Sequence, residues 1–292
     1  MPPEPQSKYR GRIAPSPTGF LHLGHAITFW NAAQRAIARG GKLILRVEDL
    51  DRDRCWVEFR EAIAEDLLWF GIRWDEGPGC GGPFSPYIQS ERRESYFAVW
   101  KKLRDGGFIY PCSCSRRDVM GAIAAPHAGD DEPLYPGTCR TGPGTIPDAS
   151  EPAGATWRFR VPQGELMTFH DERLGLQKAV AGVDFGDFVV WRKDDIPAYQ
   201  LAVVADDAAM QITEIVRGED LLISTFRQLL LYRALGFDAP SFYHCPLVTD
   251  DHGQRLAKRN AALSLRTLRE KGADPGQLRE AILSSEGHLR LR

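Results

Sequence analysis

RGRIAPSPTGFLHLGHAITFWNAAQRAIARGGKLILRVED, residues 10–49, carries a strand, a helix and a second strand in its apolar spacing. Residues 10–16 read as a short strand running into a turn, because Pro15 and Pro17 flank Ser16 and Gly19 follows. A helix is predicted from near Gly24, since Ile27, Trp30, Ala33 and Ile37 recur at spacings of three and four and Gly40-Gly41 stops it. Leu43, Leu45 and Val47 then alternate as a strand does. Farther along, Asp53 is the expected cap of a helix with Trp56, Phe59, Ile63, Leu67 and Phe70 on one face and Gly71 as its stop. Ser90 is expected to open another helix through Trp100 and Leu103, closed by Gly106-Gly107. This alternation predicts an α/β fold, a parallel sheet with helices on both faces.

The character changes after Gly107. Residues 111–155 lose periodicity and are rich in Pro, Gly and Asp, and the stretches 157–161, 165–170 and 187–191 read as extended. They predict a small β-rich insertion. Regular patterning returns at 199–205, at 211–216 and in a helix capped by Ser224 that ends at Gly236. Residues 246–258 read as an extended segment, a turn at 250–253 and a return strand. Two short helices finish the chain, the last opening on Asp274-Pro275-Gly276-Gln277: an N-cap, a proline at the first helical position and a glutamine at the third.

The 292 residues are 43% apolar and 26% charged, enough for one large or two modest domains. No apolar run approaches the roughly 18 residues that cross a bilayer. The opening MPPEPQSKYRGR has no apolar core of a secretory signal. A soluble, cytoplasmic protein is expected, with no membrane partner. The net charge of −2 excludes a global polycation. From His252 to Arg292, however, nine Lys/Arg face four Asp/Glu, a local +5 against −7 elsewhere. That asymmetry suits a polyanionic ligand near the C-terminal part, although a solvated basic helix face would give the same count.

Two groups of residues carry chemistry. His22 and His25 flank Gly24 where a turn enters a helix. A helix N-terminus offers unpaired N–H groups and roughly half a positive charge, which attract phosphate. A glycine lets a nucleotide approach the backbone, and two imidazoles can donate to phosphate oxygens. The second group is Cys112, Cys114 and Cys139, three of six cysteines; Cys55, Cys80 and Cys245 stand alone. In a reducing compartment such a cluster reads as metal chemistry. Three thiolates and one more ligand close a tetrahedral zinc shell. General zinc chemistry favours His127 as the fourth, and Tyr135 is the alternative.

RIAPSPTGFLHLGH (12–25) resembles the N-terminal signature of the glutamyl-tRNA synthetase family, class I synthetases with a Rossmann catalytic domain; HLGH stands at the family's HIGH position. LRVEDLDRDR (45–54), YQLAVVADD (199–207), ITEIVRGEDLLIST (212–225) and RLAKRNAALSL (255–265) agree in family order. The resemblance implies a glutamate site lined by Arg12, Ala14, Ser16, Glu48, Tyr199 and Arg217. Glu48 would pair with the α-ammonium. Arg12 and Arg217 would grip the side-chain carboxylate through planar donor forks, with Tyr199 at the same end. A neutral glutamine would match those donors poorly. Val203 stands where full-length members often carry an amide, which predicts weaker glutamate binding.

The resemblance also implies that His22, Gly24, His25 and Lys258 bind ATP, with His22, His25 and Lys258 catalytic and Mg²⁺ accompanying the nucleotide. Lys258 lies in RLAKR, a KMSKS-like loop with Ala257 in a serine position and Arg255 or Arg259 as possible helpers. Short forms of the family favour Tyr135 as the fourth ligand of a structural zinc held with Cys112, Cys114 and Cys139. The expected layout is a Rossmann catalytic domain whose first half is 8–107, a zinc-containing insertion at 108–186, the second half at 187–245, and at 246–292 the KMSKS-like loop with a short helical stem-contact segment. Only 33 residues follow Arg259, so no anticodon-binding domain is expected. Short forms are understood to activate glutamate without tRNA and attach it to queuosine in the anticodon loop of tRNA(Asp). ATP, L-glutamate and queuosine-carrying tRNA(Asp) are thus the expected partners of a monomer. Alternatives are a truncated glutamyl-tRNA synthetase charging the 3′ end of tRNA(Glu), and a catalytically idle, zinc-containing tRNA-binding protein.

Overall fold

The computed structural model describes residues 9–115, 118–119, 134–142, 147–248 and 264–283. His127, Arg255, Ala257, Lys258 and Arg259, and the turn expected at 250–253, lie outside the described residues. In chain order the elements are β1 (Arg10–Ile13), α1 (Leu23–Ala38), β2 (Lys42–Leu45), α2 (Val57–Trp69), α3 (Arg93–Asp105), β3 (Ile109–Cys112), β4 (Thr156–Phe159), β5 (Leu166–Asp171) and β6 (Gly175–Val180). There follow β7 (Val189–Trp191), α4 (Tyr199–Ala209), β8 (Glu214–Gly218), α5 (Leu222–Leu235), β9 (Ser241–Cys245), α6 (Leu265–Glu270) and α7 (Pro275–Leu283). This is an α/β fold of mixed parallel and antiparallel sheets with flanking helices. No described helix is long and apolar enough to cross a membrane.

The chain forms two compact units, one of Met1–Glu91, Gln211–Leu221 and Pro240–Arg292, the other of Arg92–Met210 and Leu222–Ala239. In the first unit β1 pairs parallel with β2, and β8 pairs parallel with β9. β8 runs beside β1, where Thr213 N–H donates to Arg10 O at 2.9 Å. The chain therefore leaves β1 toward β2 on one side and places β8 and β9 on the other. Such a reversal of strand order opens a crevice at the carboxyl ends of the strands. Leu23, Ala26, Ile27 and Ala33 of α1 pack with Ile13, Leu43, Leu45, Ile63, Leu67, Phe70 and Val216 in one apolar core. Arg35 pins α1 to β8 by gripping Glu214 at 2.7 and 2.6 Å.

In the second unit β3, β4 and β7 form an antiparallel sheet, and β5 and β6 an antiparallel hairpin. Buried Asp206 of α4 accepts from Arg92 Nε at 2.6 Å and from Tyr96 Oη at 2.9 Å, which ties α3 to α4. Trp100 and Trp157 meet edge to face at 4.8 Å in the core.

Two expected caps and one expected helix start are overturned. Asp51 accepts backbone bonds from Arg54 and Cys55, and the resulting turn delays α2 until Val57. Asp53 is therefore not its cap, and Trp56 is 61% exposed rather than in the core. Ser90 gives its N–H and hydroxyl to Asp49, so α3 starts later, at Arg93. Ser224 lies buried within α5, accepting from Gln200 Nε2 at 3.0 Å. The Asp274 cap is as read, with Gln277 N–H donating to Asp274 Oδ1 at 2.8 Å ahead of a helix that begins at Pro275.

Candidate functional site

Five of the expected glutamate residues lie in the first unit, around the carboxyl ends of β1, β2 and β8. The backbone beyond β1 and β2 stays stitched: Arg46 N–H donates to Ile13 O and Glu48 N–H to Pro15 O, each at 3.0 Å. Ala14, Ser16 and Glu48 are thereby neighbours. Arg12, buried on β1, reaches β8 and donates through Nη1 to Val216 O at 3.2 Å, next to Arg217. An acid and two arginines thus share one group of strand ends, a charge arrangement suited to a zwitterion with a second carboxylate. Tyr199 is the first residue of α4 in the second unit, 38% exposed. Val203, in the same helix, is fully buried.

Two further side chains back this group, and sequence reading did not single them out. Arg46 is wholly buried and donates through Nη2 to Glu48 Oε1 at 2.9 Å. His244 of β9 is also wholly buried, and its Nε2 accepts from Arg217 Nε at 3.2 Å. The only signal for Arg46 was its place two residues before Glu48, on the same face of an extended segment.

His22 and His25 come together at the start of α1, with stacked rings 3.7 Å apart between centroids. Their packing explains Gly24, where a Cβ would meet the His22 ring at 3.2 Å. The segment that follows the lysine-bearing stretch is tied to this motif. Ser264 bridges to His22, and Leu265 N–H donates to Leu21 O at 2.7 Å. Ser264 also caps α6, accepting from Thr267 N–H at 3.1 Å.

In the second unit the Sγ atoms of Cys112, Cys114 and Cys139 all lie within 4.8 Å of one another, a group that could hold a metal ion. Tyr135 Oη lies 3.3 Å from Cys112 Sγ and 3.4 Å from Cys114 Sγ, and accepts from Cys139 N–H at 2.8 Å. Tyr135 is thus in the cluster. Its hydrogen bond to Cys139 leads the effects that draw that thiol down to about 6, while burial leads those that push the phenol up. Arg158, buried, donates to Cys112 Sγ at 3.4 Å and lies 4.0 Å over the Tyr135 ring. Three thiolates and a phenolate around a divalent ion carry net negative charge, and an adjacent guanidinium offsets it. The donor set and its neighbour fit zinc. Asp187 braces this region, accepting from Tyr110 Oη at 2.5 Å, Arg140 Nη1 at 2.8 Å and Val161 N–H at 2.8 Å.

The chain matches the family model of tRNA synthetases class I (E and Q), catalytic domain, over residues 8–286, and it belongs to that family. Within the family it is 47% identical to the glutamyl-Q tRNA(Asp) synthetase of Nitratidesulfovibrio vulgaris, covering 90% of this chain and 82% of that one. To the glutamyl-Q tRNA(Asp) synthetase of Symbiobacterium thermophilum it is 48% identical, over 91% and 82%. The glutamate–tRNA ligase 1 of Halorhodospira halophila is 42% identical and is covered over 57% of its length. Among solved structures, a glutamate tRNA ligase from Elizabethkingia meningosepticum superposes with a TM-score of 0.75 at 32% identity, over 87% of this chain and 52% of that one. The chain thus spans about half the length of that ligase.

Proposed function

We propose that this chain activates L-glutamate with ATP, in the absence of tRNA, and transfers the glutamyl group to queuosine in the anticodon loop of tRNA(Asp). The observation that carries the reading is the meeting of Arg12, Arg217 and Glu48 at neighbouring strand ends of a unit whose first helix starts at stacked His22 and His25. The choice of acceptor is supported by the two relatives at 47% and 48% identity, both glutamyl-Q tRNA(Asp) synthetases, while relatives at 42% include both glutamyl-Q tRNA(Asp) synthetases and glutamate–tRNA ligases.

In the first step an oxygen of the glutamate α-carboxylate attacks the α-phosphorus of ATP. The bond to the bridging oxygen breaks and pyrophosphate leaves. Phosphoryl chemistry of this kind is mostly positioning and charge stabilisation. Glu48 holds the ammonium, and Arg12, Arg217 and Tyr199 hold the side-chain carboxylate. Ala14 and Ser16 form the adjoining wall. The α-carboxylate is left to react. His22 and His25 donate to the phosphates at the N-terminus of α1, where Gly24 leaves room for them. Lys258 stabilises the departing pyrophosphate, and Mg²⁺ comes with ATP. The tie of Ser264 to His22 supports a lysine loop delivered to the histidine pair. In the second step an acceptor hydroxyl attacks the glutamyl carbonyl and AMP leaves.

The parallel strands serve as a Rossmann-type nucleotide fold at 8–107 and 187–245. Zinc on Cys112, Cys114, Tyr135 and Cys139 would hold the insertion at 108–186. A metal with four protein ligands has no open position for substrate, so its part is structural. Residues 246–292 carry the lysine loop and the segment that meets tRNA. The enzyme works as a cytoplasmic monomer.

The test is transfer of labelled glutamate to purified tRNA. Labelling of tRNA(Asp) that requires queuosine supports the proposal. Labelling of the 3′ end of tRNA(Glu) instead would make the chain a glutamyl-tRNA synthetase catalytic domain.

A further inference from the structure

His244 sits opposite Arg217 in the parallel register of β8 and β9, with its side chain shut off from solvent. The hydrogen bond between them, 3.2 Å from Arg217 Nε to His244 Nε2, has only one possible direction. A guanidinium donates and never accepts. The Nε2 atom must therefore carry a lone pair, and the imidazole is neutral with its proton on Nδ1. Phe242, two residues earlier on the same face of β9, stacks on the His244 ring at 6.3 Å and lies 5.7 Å from the Arg217 guanidinium. An arginine side chain has several rotatable bonds, and recognition of a carboxylate by its planar fork demands one orientation.

We infer that His244 is a positioning residue of the amino-acid pocket: as the neutral Nδ1–H tautomer it takes the Nε–H of Arg217 and fixes the plane in which the terminal nitrogens meet the substrate's side-chain carboxylate. The inference rests on the glutamate reading and extends it. Selectivity for a carboxylate over an amide then depends on a residue that need not touch the substrate. An arginine free to turn would also serve an amide oxygen, with one donor and looser geometry.

The experiment is glutamate-dependent ATP–pyrophosphate exchange by the full chain, comparing wild type with His244→Leu and His244→Gln. Leucine removes the acceptor, whereas the glutamine amide oxygen can replace it. The expected result for His244→Leu is a KM for glutamate raised about tenfold or more, with the KM for ATP unchanged and glutamate preference over glutamine reduced. His244→Gln should recover most of both. Equal KM values in wild type and His244→Leu would overturn the inference, as would identical defects in the two variants. The second measurement is ¹⁵N NMR of the wild-type histidines, which needs no variant to fold. A neutral His244 protonated on Nδ1 is expected, and one protonated on Nε2 overturns the inference. Absence of exchange in the wild type would instead count against the glutamate reading, and the tautomer would still test the hydrogen bond.

Discussion

Arg46 donates to Glu48 across 2.9 Å from a position with no solvent exposure at all. The two residues are separated by one position in an extended segment, so they share a face. A carboxylate has about four acceptor positions, so pairing with Arg46 leaves Glu48 able to meet an ammonium as well. The guanidinium fixes where that carboxylate points. Removing one partner of a buried pair costs about 3–5 kcal/mol, because the other charge is left uncompensated. Arg46→Leu should lose stability of that order in urea unfolding. Glu48→Gln should lose less stability, keep ATP binding by calorimetry, and lose glutamate-dependent exchange. Retained exchange in Glu48→Gln would remove Glu48 from the pocket.

The cysteine cluster predicts one zinc per chain by elemental analysis. Cys112→Ser or Cys139→Ser should lower both the zinc content and the unfolding temperature, because metal affinity at a structural site is folding energy. Arg158→Met tests the neighbouring charge. Partners just outside a metal shell typically contribute about 10–100-fold in affinity, so this variant should retain zinc but lose it to a weaker chelator. Wild-type protein refolded without metal to the same unfolding temperature would contradict a structural role.

Two carboxylates set opposite pH dependences. Glu76 receives both terminal nitrogens of Arg10 at 2.9 and 2.8 Å, with Lys42 and Tyr87 beside them. Arg10 leads in holding its carboxyl down at about 2, against an ordinary 4.5. Its stabilisation is present above about 4.5 and is lost as pH falls toward 2. Asp66 on α2 is buried, neither oxygen is hydrogen-bonded among the described residues, and Arg269 Nη1 lies 3.8 Å away. Burial outweighs Arg269 and pushes it up to about 6. Its contribution is complete below its ordinary 3.8 and is lost as pH rises through about 6. Glu76→Gln should flatten the acid limb of the stability curve. Asp66→Asn should raise the unfolding temperature at pH 8 and leave it nearly unchanged near pH 4.

Much of this was legible in the sequence, for physical reasons that differ from residue to residue. Ile27 and Ala33 revealed the buried face of α1, and Leu43 and Leu45 the buried strand, because burial repeats with the period of the element. The hairpin strand β6 escaped notice, since its exposed Leu176 and small Ala179 blur the alternation. Ser90 and Ser224 misled because a short polar side chain can cap a helix or serve a competing bond, and Asp53 misled because the turn closed on Asp51 O delays α2 to Val57. For Ser90 and Ser224 the competing bonds, to Asp49 and Gln200, are 41 and 24 residues away in sequence. His244 was invisible for the same reason, since its partner Arg217 is 27 residues away in sequence. Arg46 has its partner two residues on, and what the sequence did not show is its complete burial.

The phosphate chemistry makes a separable prediction. Lys258→Ala should abolish most exchange while leaving glutamate binding, measured by calorimetry, near wild type. His25→Ala should lower kcat more than it raises the KM for glutamate, since His22 and His25 stack at the helix start and not at the arginines. A KM effect alone from either variant would move these residues out of the chemical step.

Activation of glutamate by this chain alone is decided by ATP–pyrophosphate exchange, run with glutamate as the amino acid and no tRNA in the reaction. Exchange that requires glutamate and is not supported by glutamine is expected. Exchange that begins only when tRNA(Glu) is added would rule out activation without tRNA.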